Sequence, residues 1–502
     1  MPFPIVNSII SWFLKKRIHQ IELFLKYPTD VQDEVLAKLL QTAKRTEFGK
    51  QYDFSSIKTY QDFADKVPIQ KYESIEPLIE RCRKGEQNLF WPTPIKWFAK
   101  SSGTTNAKSK FIPVSNEALE YCHMKAGKDM LCLYINNNEE TKLFTGKGLK
   151  LGGSSDIYED NNSYFGDLSA IITENLPFWA DYSSAPSLEV AMMSEWETKM
   201  EAIIDETIKE DITSLVGVPS WMLVLLNRVL ERTGKNNILE VWPNLEVYFH
   251  GGVNFNPYRE QYKKLIPKKN FQYYETYNAS EGFFAIQDRN GSKELLLMLD
   301  YGIFYEFIPM SEYKGESSIA IPLSEVQKNI DYALVITTNS GLWRYMIGDT
   351  IRFTSLDPYR IKITGRTKHY INVFGEELNI ENVEDALKLT CEKTDALIND
   401  YTVGPIFMEG KKSGGHEWII EFEKHPKSMN YFTEILDNAL KSINSDYEAK
   451  RYNNMTLAMP KIHVAKKGLF YEWLKQKGKL GGQHKVPRLS NSRAFVEELL
   501  AI

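Results

Sequence analysis

Four cysteines in 502 residues are too few and too scattered to staple a fold. Cys82, Cys122, Cys132 and Cys391 form no C-x-x-C pair, so neither a zinc site nor a short redox motif is indicated. They read as reduced, mostly buried thiols, and a cytoplasmic location follows as the default expectation. An excess of one charge is also missing. The 61 basic and 66 acidic residues leave a net charge of −5, without the basic footprint of a nucleic-acid binder. The apolar run at 5–14 falls short of the ~20 residues that span a bilayer. Its positive charges, Lys15, Lys16 and Arg17, follow the run instead of preceding it, and no small-residue cleavage site is evident. Ile9, Trp12 and Phe13 have helical spacing, which predicts a surface helix packed on the body and no stable membrane insertion. Internal repeats, low-complexity linkers and the Walker A pattern G-x-x-x-x-G-K-[ST] are absent as well.

What remains is a chain of ordinary globular composition, 43% hydrophobic and 25% charged, long enough to bury a large core without disulfides or metals. Its length suits about three units, or one large compound domain with a smaller one appended. Residues up to about 90 read as helices broken by turns, and Pro77 suits the first turn of one of them. A Ser/Thr/Gly-rich loop follows at 101–105. The middle alternates β-rich runs at 295–299, 333–338 and 345–353 with helical ones, including an apolar helix at 221–230. That alternation predicts an α/β architecture with mixed sheets. From about 365 the character changes. Asn379 caps a helix whose apolar face is Ile380, Val383 and Leu387. Strand-like runs at 402–408 and 417–422 follow, and then a second amphipathic helix with Phe432, Ile435, Leu436, Ala439, Leu440 and Ile443 inward. The expected organisation is a large N-terminal α/β unit, 1–365, and a smaller α+β unit, 366–502.

Four segments carry chemistry. Ser101-Ser102-Gly103-Thr104-Thr105, followed by Lys108 and Lys110, offers hydroxyls and backbone amides that can wrap phosphate oxygens. Tyr277-Asn278-Ala279-Ser280-Glu281-Gly282 combines an aromatic that can cover a base, a serine donor and a carboxylate that can hold Mg²⁺ on phosphate. Arg344-Tyr345-Met346-Ile347-Gly348-Asp349 sets a carboxylate at a strand end, where it can accept hydrogen bonds from ribose hydroxyls. Gly482-Gln483-His484-Lys485 places a lysine behind a glycine-rich stretch. Singly, each also reads as an ordinary turn or solvated loop.

In this order and at these separations, the four segments resemble the adenylate-forming superfamily of acyl-CoA synthetases, nonribosomal adenylation domains and luciferase. Nearly the whole chain resembles more closely the Gretchen Hagen family of acyl acid amido synthetases, which conjugate plant hormones to amino acids. The resemblance is carried by Thr46-Glu47-Phe48-Gly49-Lys50, Val67-Pro68-Ile69 with Tyr72-Glu73, and Trp91-Pro92. It continues through Gly365-Arg366-Thr367, Phe374-Gly375-Glu376 and Lys485-Val486-Pro487-Arg488. It implies that Ser101, Ser102, Gly103, Thr104 and Thr105 bind phosphate, and that Gly251-Gly252 lines the adenine. It further implies that Tyr277, Ser280 and Glu281 bind nucleotide, Glu281 being the Mg²⁺ ligand, and that Asp349 binds ribose. Arg366 would stand at the hinge of a mobile small domain, and Lys485 would be the catalytic lysine between carboxylate and α-phosphate. Phe304-Tyr305-Glu306-Phe307 resembles an aromatic strand near the nucleotide. Two positions depart from the plant members: Ala279 replaces a serine, and Met346 stands where an arginine is usual.

The reaction so implied uses ATP and Mg²⁺ to turn a carboxylic acid into an acyl-adenylate, which an amine, in this family an amino acid, then attacks. Crowded negative charge in the first step calls for a metal and a cation, the roles implied for Glu281 and Lys485. Transfer to the thiol of coenzyme A, and a nucleotide-binding regulator without turnover, are the alternatives.

Overall fold

The computed structural model describes residues 16–101, 110–152, 157–176, 183–252, 255–367, 370–371, 376, 378–407, 413–444, 447–448, 451, 457–479, 486–490 and 492–502. The apolar run at 5–14, Ser102, Gly103, Thr104, Thr105 and Lys485 lie outside the described residues.

The N-terminal helices pack on one large apolar cluster that runs from Ile21 to Ile361. Among them, α1 (Tyr72–Arg83) begins a full turn before Pro77, which therefore sits inside the helix and not in its first turn as expected. The reason lies in the apolar face Tyr72, Ile75, Ile79 and Cys82, all buried. Their i, i+3, i+4 spacing binds the earlier turn to the core, and Pro77 stands on the exposed side, where its missing N–H is tolerated. Strands β1 (Trp97–Ser101) and β2 (Lys110–Val114) are antiparallel, with Ser101 opposite Lys110, and they frame the predicted phosphate loop.

A ladder of twelve strands forms the body among the described residues. One half is parallel and includes β3 (Lys147–Leu151), β4 (Ile212–Gly217), β5 (Val247–Gly251) and β6 (Gln272–Ala279). Helix α2 (Pro219–Thr233) covers it, burying Trp221, Met222, Leu225, Leu226 and Val229 as its apolar sequence predicts. The other half is antiparallel. It runs from β6 through β7 (Gly282–Ile286) and Leu295–Leu297 to β9 (Tyr359–Arg366) and from there to β8 (Tyr345–Leu356), then to Asp331–Thr338 and Ile303–Pro309. The ladder order places β8 four inter-strand steps from β6, roughly 19 Å in a flat sheet. Yet the Tyr277 hydroxyl on β6 donates to Asp349 on β8 at 2.7 Å. The antiparallel half therefore curls until β6 and β8 face each other, and its inward faces become one core that includes Phe284, Tyr305, Phe307, Ile336, Tyr345 and Phe353. The Phe304-Tyr305-Glu306-Phe307 strand belongs to that core: Tyr305 donates to the Met298 carbonyl at 3.1 Å, and Glu306 is bound to Arg344.

The last third has its own apolar cluster, from Ile371 to Leu489. Helix α3 (Ile380–Thr394) opens with the expected Asn379 cap, which is a full capping box with Asn382. Strands β10 (Leu397–Ile406), β11 (Gly415–Lys424) and β12 (Lys461–Val464) make a three-stranded sheet beneath it and α4 (Met429–Ile443). Helix α5 (Leu469–Gln476) instead joins the cluster of the parallel half through Phe470, Trp473 and Leu474. Cys82, Cys122 and Cys132 are buried, Cys391 is partly exposed, and none of the four is in a disulfide. Among the described residues, no helix is long and apolar enough to cross a membrane.

The start of β8 is held by a buried charge pair. Arg344 donates from Nε and Nη2 to Glu306 at 2.8–3.1 Å, and from Nη1 to the carbonyls of Ala64 and Val67 at 2.8 and 2.6 Å. Tyr60 donates to the same carboxylate at 3.0 Å. Glu306→Ala would leave the Arg344 guanidinium buried without a counter-charge. It is expected to cost about 3–5 kcal/mol, as breaking one side of a buried pair does. A drop in the urea midpoint reads this out, and an unchanged midpoint would refute it.

Candidate active site

The site forms where the curled sheet closes. Asp349 lies in β8 opposite Arg366 at the end of β9. Its two carboxylate oxygens accept from different elements: Oδ2 from the Tyr277 hydroxyl at 2.7 Å, and Oδ1 from Arg366 Nε at 2.6 Å. Gly348, at φ +90°, supplies a backbone turn that side-chain-bearing residues rarely adopt. Its carbonyl accepts from the Thr367 amide at 2.8 Å, which ties the residue after Arg366 back to the Asp349 strand.

Ser280 and Glu281 form the two-residue turn between β6 and β7, with Ala279 opposite Gly282. The Tyr345 hydroxyl donates to Glu281 Oε1 at 3.4 Å, a second bond across the curl. Burial raises the Glu281 pKa above its ordinary 4.5, while Arg366 and Lys110 pull it back. Lys110 is the residue that closes the phosphate hairpin, so the base of that loop and the Glu281 turn share one electrostatic environment. Burial, and after it the Asp349 charge, drives the Tyr277 phenol well above its usual range and so keeps it a donor. That same charge raises the pKa of Arg366.

Gly251, the last residue of β5, stands beside Thr276. A side chain there would meet the Thr276 carbonyl and hydroxyl at 2.7 Å, so glycine is what lets β5 and β6 run together into the site. Gly252 follows at φ +82°.

The structure thus brings together Tyr277, Ser280, Glu281, Asp349 and Arg366, with Gly251-Gly252 one strand away. Met346 departs from the plant pattern but does not touch this cluster. It faces the opposite side of β8, among Ile69, Ile308, Ala333 and Val335, where Tyr313 donates to its sulfur at 3.1 Å. Two neighbours escaped the reading of the sequence. Tyr345 sits inside the Asp349 motif, where only the curl reveals that it reaches Glu281. Glu275 shares the strand face of Tyr277 two residues on, a period-2 relation visible in the sequence. Burial, opposed by Arg259, pushes its carboxyl up to about 7.

Among the described residues no cluster of three or more metal-ligating side chains exists. Glu281 therefore fits Mg²⁺ only as one carboxylate ligand beside phosphate oxygens and water, the way this ion is commonly held at nucleotides.

Comparison with known proteins bears on the same chain. The model of the GH3 family N-terminal domain matches residues 17–271, that of its central domain 296–366, and that of its C-terminal domain 381–494. The chain belongs to the GH3 family. Indole-3-acetic acid-amido synthetase GH3.3 of Arabidopsis thaliana is 22% identical, over 96% of this chain and 93% of that one. Jasmonoyl–L-amino acid synthetase JAR6 of Nicotiana attenuata is also 22% identical, over 94% and 93%. The solved structure of GH3.15 acyl acid amido synthetase superposes with a TM-score of 0.81 at 18% identity, over 97% and 96% of the two chains. A 2-hydroxyisobutyryl-CoA ligase in its postadenylation state reaches 0.59 at 11% identity, over 94% and 92%. The fold is that of GH3 and adenylate-forming enzymes: a mixed α/β body followed by a smaller α+β unit.

Because the Glu281 carboxyl is harder to ionise in the folded chain than in the unfolded one, it costs stability above its ordinary pKa of 4.5 and costs nothing well below it. Glu281→Gln should therefore melt higher than the parent at pH 8 without Mg²⁺ and equally at pH 3.5. A lower melting temperature at pH 8 would contradict this.

Proposed function

We propose that this GH3-family chain is an ATP-dependent acyl acid amido synthetase that adenylates a carboxylic acid and passes the acyl group to an amine, an amino acid by analogy with its relatives. The observation that carries the reading is the Asp349 carboxylate fixed between Tyr277 and Arg366, beside the Glu281 turn and the base of a Ser/Thr/Gly hairpin. That cluster suits a nucleoside triphosphate: Asp349 accepts from the ribose hydroxyls, Tyr277 and Gly251-Gly252 border the base, and Ser101, Ser102, Gly103, Thr104 and Thr105 wrap the phosphates. Mg²⁺, when bound, offsets phosphate charge, and Glu281 is the side chain assigned to hold it.

In the first step a carboxylate oxygen attacks the α-phosphorus, the bond to the β-phosphate oxygen breaks, and pyrophosphate leaves. Lys485 is assigned to neutralise charge between the carboxylate and the α-phosphate. In the second step the amine nitrogen attacks the acyl carbon, AMP departs with the bonding pair, and the nitrogen releases its proton to solvent. No acyl-enzyme forms, so no nucleophile–base pair is needed. Residues 1–365 act as the nucleotide- and acyl-binding domain. Residues 366–502 act as the mobile domain, turning near Arg366 between the steps. The enzyme works in the cytoplasm.

The reading is tested by pyrophosphate release from ATP and Mg²⁺ across a panel of carboxylic acids, including indole-3-acetic acid, with and without mixed amino acids. Acid-dependent release with an acyl-amino-acid product by mass spectrometry is expected. A coenzyme A thioester in place of the amide would replace the assignment. Lys485→Ala should slow acid-dependent release by roughly 100-fold or more with an unchanged circular dichroism spectrum; parental rates would remove the lysine from its role. Asp349→Ala should weaken ATP binding by roughly ten-fold in calorimetry, the loss of a charged acceptor. Equal affinity would count against the ribose assignment.

A further inference from the structure

The chain just after Lys485 is built into the small sheet. The Val403 amide donates to the Arg488 carbonyl at 2.9 Å, and the Ser490 amide to the Val403 carbonyl at 3.0 Å. Thr402 donates to the Pro487 carbonyl at 2.5 Å. The Arg488 side chain is oriented by the same sheet: its guanidinium lies 4.6 Å over the Tyr401 ring, donates to the Tyr401 carbonyl at 3.0 Å and pairs with Asp400. One further donor leaves the small unit. Arg488 Nη2 donates at 2.8 Å to the hydroxyl of Tyr258, a fully buried residue of the Asn256–Tyr258 turn that follows Gly251-Gly252. Beside it, Gln261 donates across the same boundary to Asn399 Oδ1 at 3.0 Å and to the Ile398 carbonyl at 3.2 Å. Val486, next to Lys485, packs in the apolar cluster that contains Phe255 and Tyr258.

We propose that Arg488 and Tyr258 form a reversible clasp that holds the small unit in the orientation serving adenylate formation, and that the clasp opens for acyl transfer. This rests on the two-step reading above. Three features support it. Val486 and Arg488 meet the large unit next to the nucleotide loop, so the arrangement brings the chain adjoining Lys485 to the nucleotide side. The guanidinium is held by its own unit and keeps those contacts when that unit turns, so opening costs it one hydrogen bond. Tyr258 is packed in the large unit through its ring, which leaves the hydroxyl as a fixed acceptor. Arg488 is thus a positioning residue, as are Tyr258 and Gln261.

Tyr258→Phe keeps the ring and removes only the acceptor. Spin labels at exposed Lys235→Cys and Lys467→Cys, in a Cys391→Ser background of the full chain, report the distance between the units with no substrate present. The variant is expected to raise the population of a second distance by roughly five-fold, the scale of one lost hydrogen bond. A distribution identical to the parent's overturns the clasp, whatever the enzyme's activity. With an acid found active in the panel, the variant should lose roughly five-fold in ATP–pyrophosphate exchange. It should make amide from supplied acyl-adenylate at the parental rate or faster. Equal losses in both half-reactions would mean a merely structural contact and overturn the proposal. Exchange by no acid in the parent chain would instead fault the function assigned above, and the label distances would still decide the clasp.

Discussion

A buried arginine–glutamate pair underlies the whole site. Arg344 is 5% exposed and Glu306 fully buried, and the arginine backbone is left-handed at φ +44°. Two charges withdrawn from water in this way are tolerable only when every donor is used. Here the guanidinium is shared between Glu306 and two carbonyls of the 64–67 segment. The pair fixes where β8 begins, and the curl of the sheet then decides what β8 meets. Asp349 and Tyr345 reach Tyr277 and Glu281 because that starting point and that curvature agree.

The motifs that mark the family gain a physical meaning from this arrangement. Thr46 caps its short helix by accepting from the Gly49 amide at 3.0 Å, and a side chain at Gly49 would stand 2.2 Å from the Ala43 carbonyl. The helix so tightened puts Phe48 against Trp343, whose indole donates to the Phe90 carbonyl at 3.1 Å. Val67 accepts from Arg344, and Gln70 exchanges backbone bonds with Arg344 and Met346. Elements far apart in sequence therefore converge on residues 343–346 and brace the strand that carries Asp349. Their common task is architectural.

The site itself is built at some expense. Glu281 and Glu275 are carboxyls that burial makes reluctant to ionise, and Tyr277 is kept protonated beside a charged Asp349. Such groups are poised for cations and for hydrogen-bonding ligands more than for stability. The surrounding core, with Phe284, Tyr305, Tyr345 and Phe353 packed inside the curl, supplies the stability that the site gives up.

Much was legible beforehand because it is local. β-branched and aromatic runs mark the strands Asp331–Thr338 and Tyr345–Leu356, the spacing of Val383 and Leu387 marks α3, and Asn379 marks its start. The order of four chemical segments, with the family resemblance, pointed to adenylation. Pro77 was misplaced because a core-facing stripe outweighed one lost backbone bond. The side taken by Met346 stayed hidden because strand alternation assigns faces only once the neighbours are known. By itself, then, the sequence determined which residues have the chemistry for a nucleotide and which segments become helix or strand, since propensity, period and capping act over a few residues. Only the tertiary structure decided that Tyr277 and Arg366 share one carboxylate, that Tyr345 reaches Glu281 and that Arg488 crosses to Tyr258. Those meetings depend on sheet curvature and unit packing, which are sums over contacts that no single segment contains.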